Sequence, residues 1–154
     1  MSESIKLKKG YDIPVQGAAE KLLSGDVNPL KFAVKPVDFP GLIPKLNVKP
    51  GERVKAGSPL FHNKLNPEIL FTSPVSGTVL SVERGDRRKI LEVIVEKDGN
   101  DYISFSKADP LSLSREEVTK ALLQSGLWPA IRQRPYNIVA KPYDNPKAIF
   151  ISGF

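Results

Sequence analysis

Few residues in this chain can do chemistry on their own. Among 154 residues there is one histidine, His62, and no cysteine. That removes disulfides, thiolate-ligated iron–sulfur clusters, thiol nucleophiles and cysteine-type zinc sites together, and a single imidazole does not make a histidine-rich metal site. Any redox chemistry must therefore use a cofactor held without thiolates or one carried by a partner. Neither a Gly-x-Gly-x-x-Gly segment nor a P-loop is present to cradle the phosphates of a dinucleotide or a nucleoside triphosphate.

The basic side chains are the next resource. The formal net charge of +6 is unevenly spread: residues 1–64 hold 11 Lys and Arg against 6 Asp and Glu, and residues 65–154 hold 12 against 11. The lysines stand singly among prolines and apolar residues rather than in a stripe interleaved with aromatics, so no nucleic-acid partner is expected. An acidic partner surface, anionic lipid headgroups beside a membrane complex, or plain solvation each accounts for them.

The elements that must position these groups are short. Fourteen prolines and eleven glycines favour brief strands separated by turns. Alternation of Tyr11, Ile13 and Val15 suits an extended strand over residues 8–15, and a helical turn is expected over 17–24. Residues 32–37 alternate but contain Pro36, which confines them to a sheet edge or a strand end, and Phe39-Pro40-Gly41 is a turn. Strands are expected at 46–48, 53–54, 60–61, 69–71 and 78–82, with turns at Pro50-Gly51, Ala56-Gly57, Asn66-Pro67 and residues 74–77. Residues 89–96 place Leu91, Val93 and Val95 on one face, Asp98-Gly99 turns the chain, and 102–105 returns as a hairpin partner.

Ser114-Arg115-Glu116-Glu117 is a capping box. It predicts a helix to about Gln124, with Val118, Ala121 and Leu122 on the apolar side and Gly126 as the left-handed stop. Residues 127–135 are expected to be irregular. Residues 147–151 read as a buried strand opening a further domain. No run of about 18 apolar residues predicts a membrane span, and the first residues lack the apolar stretch of a secretory signal, so a cytoplasmic location is expected.

Val48-Lys49-Pro50-Gly51-Glu52-Arg53-Val54-Lys55-Ala56-Gly57-Ser58-Pro59-Leu60 resembles the first half of biotinyl/lipoyl-type domains, V-x-x-G-D-x-V-x-x-G-x-x-L. Ser73-Pro74-Val75-Ser76-Gly77-Thr78-Val79 resembles the second half, which leads out of the hairpin that presents the modified lysine. The resemblance implies a mainly β chain, a barrel-sandwich hybrid module followed by a short helical segment and the start of an α/β domain. The expected division is an extended segment over 1–30, the module over 31–107, and the helix with the first strand of a following domain over 108–154. Counting back from Ser73, carrier members have their lysine at the position of Asn66, so the module keeps the fold without the carrier chemistry. Lys64 stands two residues away.

Three further stretches resemble the NqrA family of the Na+-translocating NADH:quinone reductases: Ile5 to Gly17; Leu60-Phe61-His62-Asn63-Lys64-Leu65-Asn66-Pro67 with the Ser-Pro segment after it; and Ser125-Gly126-Leu127-Trp128-Pro129-Ala130-Ile131-Arg132-Gln133-Arg134-Pro135. His62-Asn63 stands where the family usually has acidic residues, and Tyr136 replaces a more typical Phe. The resemblance implies a peripheral, quinone-associated subunit on the cytoplasmic face of the bacterial inner membrane, held there only through partner subunits. It implies no cofactor in this chain, quinone as the substrate of the complex, and flavins and iron on those partners. Ser76-Gly77-Thr78 only partly echoes the family's Ser-Gly-Ala-Thr flavin attachment and reads as a β-turn.

A quinone needs an apolar slot of flat side chains with one or two donors for its carbonyl oxygens. The candidates are Phe39, Leu42 and Ile43 in one segment, and Trp128 with the donors Arg132 and Arg134 in another. The alternative keeps Trp128 as a core residue closing the helix and gives the arginines to a partner subunit or solvent. At the level of function, the alternatives are a related electron-transport complex subunit with the same module and a lysine-less, carrier-like docking domain.

Overall fold

A computed structural model describes residue 6, residue 10, residues 14–18, 20–23, 25 and 28–151. The strand expected over 8–15 and the helical turn over 17–24 fall partly outside these, and the residues described there form bends and irregular chain.

Two antiparallel sheets supply one core. The first runs in the order β1-β7-β6-β3, with β1 Lys31–Val34, β3 Arg53–Val54, β6 Ser76–Arg84 and β7 Ile90–Gly99. The second runs β2-β4-β5, with β2 Pro44–Leu46, β4 Pro59–Asn63 and β5 Asn66–Thr72. As Pro36 dictates, β1 lies at an edge and the chain leaves the strand before the proline. Val54, Val79, Val93 and Val95 from the first sheet join Leu60, Phe61, Ile69 and Phe71 from the second in a single cluster. Each such fully buried side chain contributes roughly 1.5–3 kcal/mol.

The two motif halves are bonded to each other, which is why they occur together. Gly51 N donates to Val79 O at 2.8 Å and Val79 N to Glu52 O at 2.9 Å; Gly57 N donates to Ser73 O and Ser73 N to Ser58 O, both at 2.8 Å. Between these ties β3 pairs with β6, Val54 opposite Gly77. A Cβ on Gly77 would lie 1.9 Å from Glu96 O on β7, so the backbones approach there as only glycine allows.

Of the three register shifts between β6 and β7, two leave a leucine unopposed. Val79 pairs with Val95 and Ser81 with Ile94, leaving Leu80 unopposed; Glu83 pairs with Glu92 and Arg84 with Ile90, leaving Leu91 unopposed. The extra residue reverses the alternation. Leu91, expected inside with Val93 and Val95, is therefore exposed, and Ile90 is buried in its place. Nor does β7 turn at Asp98-Gly99: it runs on until Gly99 opposes Ser76, with the Asp98 carboxylate accepting from Arg53 Nη2 at 2.8 Å and Thr78 Oγ at 3.0 Å. Residues 102–105 are consequently no hairpin partner. Tyr102 makes one parallel bridge to Ala56.

The hairpin between β4 and β5 also differs from expectation. Its turn is Lys64-Leu65, closed by the Asn63 side chain, which accepts from Leu65 N at 3.1 Å. Asn66-Pro67 instead opens β5 opposite Asn63. The exposed lysine at the tip is Lys64, and His62 Nδ1 is paired with Asn47 Oδ1 at 2.7 Å.

Helix α1, Arg115–Gln124, begins at Ser114 with the capping box complete in both directions. It ends in a Schellman arrangement, Gly126 N to Leu123 O at 3.2 Å and Leu127 N to Leu122 O at 3.1 Å, with Gly126 at φ 72°. The helix rests on β5 through Leu123 and Leu122, whereas Ala121 faces outward. The chain then forms a small hairpin, β8 Arg132–Gln133 with β9 Ile138–Val139. Residues 147–151 form no strand. Ile149, Phe150 and Ile151 are exposed, and among the described residues no strand pairs with their backbone groups.

Candidate functional site

The turn 39–41 and the β6–β7 connection enclose a cleft of about 450 Å3 lined by Pro36, Val37, Phe39 to Pro44, Arg84, Arg88, Lys89 and Ile90. Its lining is mostly apolar and proline-rich, with three cations, Arg84, Arg88 and Lys89. That volume lies within the usual range for a small-molecule site.

Phe39 anchors the cleft. Its ring meets Phe71 edge-on, centroids 4.7 Å apart at 76°, and Phe71 in turn stacks on Phe61 at 4.8 Å. Arg132 covers the Phe39 ring, its guanidinium carbon 4.5 Å from the centroid. Such a contact contributes about 0.5–2 kcal/mol. It joins the two stretches that the sequence presents separately, and the β8–β9 hairpin reinforces the junction: a Cβ on Gly41 would lie 3.7 Å from Ile138 Cγ2.

Of the six expected residues, Phe39, Leu42 and Ile43 line the cleft and Arg132 reaches it through Phe39. Trp128 is buried, its Nε1 donating to Ala140 O at 2.8 Å, so it packs beneath the hairpin and presents no face to the cleft. Arg134 is exposed, outside the cleft lining. Sequence reasoning missed Arg84, Arg88 and Lys89. The signal was the run Arg84-Gly85-Asp86-Arg87-Arg88-Lys89, four cations around one carboxylate.

A second hollow lies between α1 and β5, with Arg115, Lys120, Glu68 and Tyr143 on its walls. Tyr143 donates to the Glu68 carboxylate, and this bond holds the phenol protonated to above its ordinary range. Arg115 ties Asp144 O and the Asn145 side chain. These contacts clamp the segment after β9. Among the described residues, no three His, Cys, Asp or Glu gather as a metal site, and no helix is long and apolar enough to cross a membrane.

Two sheets tied by reciprocal bonds between a Gly-x-x-Val-x-x-Gly segment and a Ser-Pro-x-x-Gly segment define a barrel-sandwich hybrid domain, here with a capped helix packed on its second sheet. The chain belongs to the family described as the NqrA N-terminal barrel-sandwich hybrid domain, whose model matches residues 5–98; residues 113–154 match that of the NqrA second alpha/beta domain. It is 39% identical over 151 residues to the NqrA subunit of the Na(+)-translocating NADH-quinone reductase of Photorhabdus laumondii, 41% over 152 residues to that of Tolumonas auensis, and 38% over 151 residues to that of Neisseria meningitidis serogroup A. In each case 96% of this chain is covered but 34% of the relative. The chain thus spans about a third of the length of the curated relatives it matches.

Proposed function

We propose that this chain serves in a Na+-translocating NADH:quinone oxidoreductase as part of a peripheral subunit at the cytoplasmic face of the membrane, where its cleft takes the quinone headgroup. NADH oxidation, flavins and iron belong on this reading to partner subunits, and the chain alone does not oxidise NADH. Residues 31–107 act as the docking module and 108–154 as the opening of a second domain.

One observation carries the quinone reading: Phe39 and Arg132, far apart in sequence, meet at 4.5 Å beside an apolar cleft with guanidinium groups on its rim. Phe39 is already engaged by Arg132 over its ring and by Phe71 edge-on, so Leu42, Ile43 and the prolines supply the contact surface for the quinone ring. The guanidinium of Arg88, and the N–H groups of Arg84 other than the Nη1 that donates to Arg88 O at 3.0 Å, are the donors offered to a carbonyl oxygen. Their positive charge favours the electron-rich, reduced form of the headgroup over the oxidised one.

A photoreactive quinone analogue applied to the assembled complex tests this. It should label residues 36–44 or 84–90, with labelling suppressed by excess quinone; labelling confined to other subunits would end the proposal.

A further inference from the structure

The β6–β7 turn breaks a local rule, and the side-chain bond at its backbone, Arg84 Nη1 to Arg88 O at 3.0 Å, requires no arginine at either left-handed position. Lys89 N donates to Asp86 O at 3.1 Å and Gly85 N to Lys89 O at 2.8 Å, closing a two-residue turn whose centre is Arg87 and Arg88. Their φ angles are 54° and 61°. This is the left-handed region, which a Cβ disfavours and which tight hairpins normally fill with Asn and Gly. Arginine has no short polar group to bond its own backbone and soften that cost. Elsewhere in the module the turns that need a positive φ, at positions 41, 51 and 57, use glycine.

What the arginines supply is charge beside apolar surface. Arg84, Arg87, Arg88 and Lys89 are all exposed, against one carboxylate in the turn, Asp86. The nearby Glu83 accepts from Ser81 Oγ at 2.6 Å, and Glu92 is paired with Lys35 at 3.7 Å. In the lining of the same cleft, Val37 and Ile43 are left exposed. Cations over an aliphatic, proline-lined hollow match an amphiphile with an anionic head. A single-stranded nucleic acid held by base stacking would want free aromatic faces, and the one aromatic ring in the cleft lining is engaged by Arg132 and Phe71.

The geometry points to the Asp86–Lys89 turn as a seat for the anionic phospholipid surface of the membrane, with Val37 and Ile43 entering the headgroup layer beneath it. This goes beyond attachment through partner subunits and holds whether or not the cleft takes a quinone. Strained, charged turns of this kind are tolerated where function selects them.

Vesicles without quinone test it. The 154-residue chain should float with mixed phosphatidylglycerol and phosphatidylcholine vesicles, not with pure phosphatidylcholine, and release as salt is raised. The double variant Arg87→Asn/Arg88→Gly relaxes the turn, so its Tm should rise by about 4 °C while vesicle binding falls about thirtyfold, the expectation for two charges at the surface. A folded, more stable protein that no longer binds excludes misfolding as the cause. Lys49→Gln/Lys55→Gln removes the same charge from the opposite end of β6 and should leave binding within a fewfold. Equal loss in both variants, no loss in the turn variant, binding to pure phosphatidylcholine, or tighter binding to single-stranded nucleic acid at the same salt would each overturn the assignment.

Discussion

The paired motif and the β6–β7 turn solve the same problem in opposite ways. Both need backbone that most residues resist. In the motif, the tight places are given to glycine: Gly51 N donates to Val79 O, Gly57 N donates to Ser73 O, and Gly77 lies beneath the Glu96 carbonyl. In the turn, two arginines hold left-handed backbone. The first region gives its left-handed positions to glycine, and the second gives them to cationic side chains at some cost in stability.

The largest break in that contrast is Gly77→Ala. A methyl 1.9 Å from Glu96 O must push β6 off β7, and the loss should be about 3 kcal/mol or more, read as a lower urea midpoint or as failure to fold. Next comes Gly126→Ala, where φ is 72° and the Cβ would lie 2.4 Å from Thr72 Cγ2. A loss of about 2 kcal/mol is expected, and adding Thr72→Ala should restore only the steric part, as a double-mutant cycle measures. Full restoration would show that backbone conformation contributes nothing there.

The smallest effect sharpens the comparison at the start of α1, where donors are again answered in pairs. Glu117 accepts from Ser114 N at 2.8 Å, and that backbone bond, more than the Ser114 hydroxyl, holds its carboxyl below the ordinary glutamate range. A lowered pKa means the contribution is complete above the ordinary value, about 4.3, and fades as pH falls through the lowered one. Glu117→Gln keeps the reach back to Ser114 but cannot titrate. The Tm difference between the two proteins should therefore be flat at neutral pH and shrink in acid; a difference independent of pH would remove the cap from the account.

Much of the fold is legible in the residues because turn glycines and the capping box act locally. Gly51, Gly57, Gly126 and Ser114 sit where the sequence predicts, and β1 stops short of Pro36 for the reason Pro36 gives. What is not legible depends on a partner. Leu80 and Leu91 face out because an extra residue is set by the opposing strand, and a period-two pattern carries no trace of that. The hairpin tip falls at Lys64 rather than Asn66 because Asn63 closes the turn, so counting back from Ser73 finds a strand residue. Leu123, not Ala121, is buried because β5 lies under that side of the helix. At the cleft, Phe39, Leu42 and Ile43 are readable as an apolar segment, but Arg84 and Arg88 arrive only once the β6–β7 turn has folded over it.

Leu123 and Trp128 sit in the same apolar cluster as Phe71 and Val93. The helix and the strands therefore bury one another, and losing the seam along β5 exposes core on both sides at once. In the language of cooperativity, one unfolding transition is the expected outcome for the segments matched by the two family models, as coincident helix and core signals in a urea melt would check.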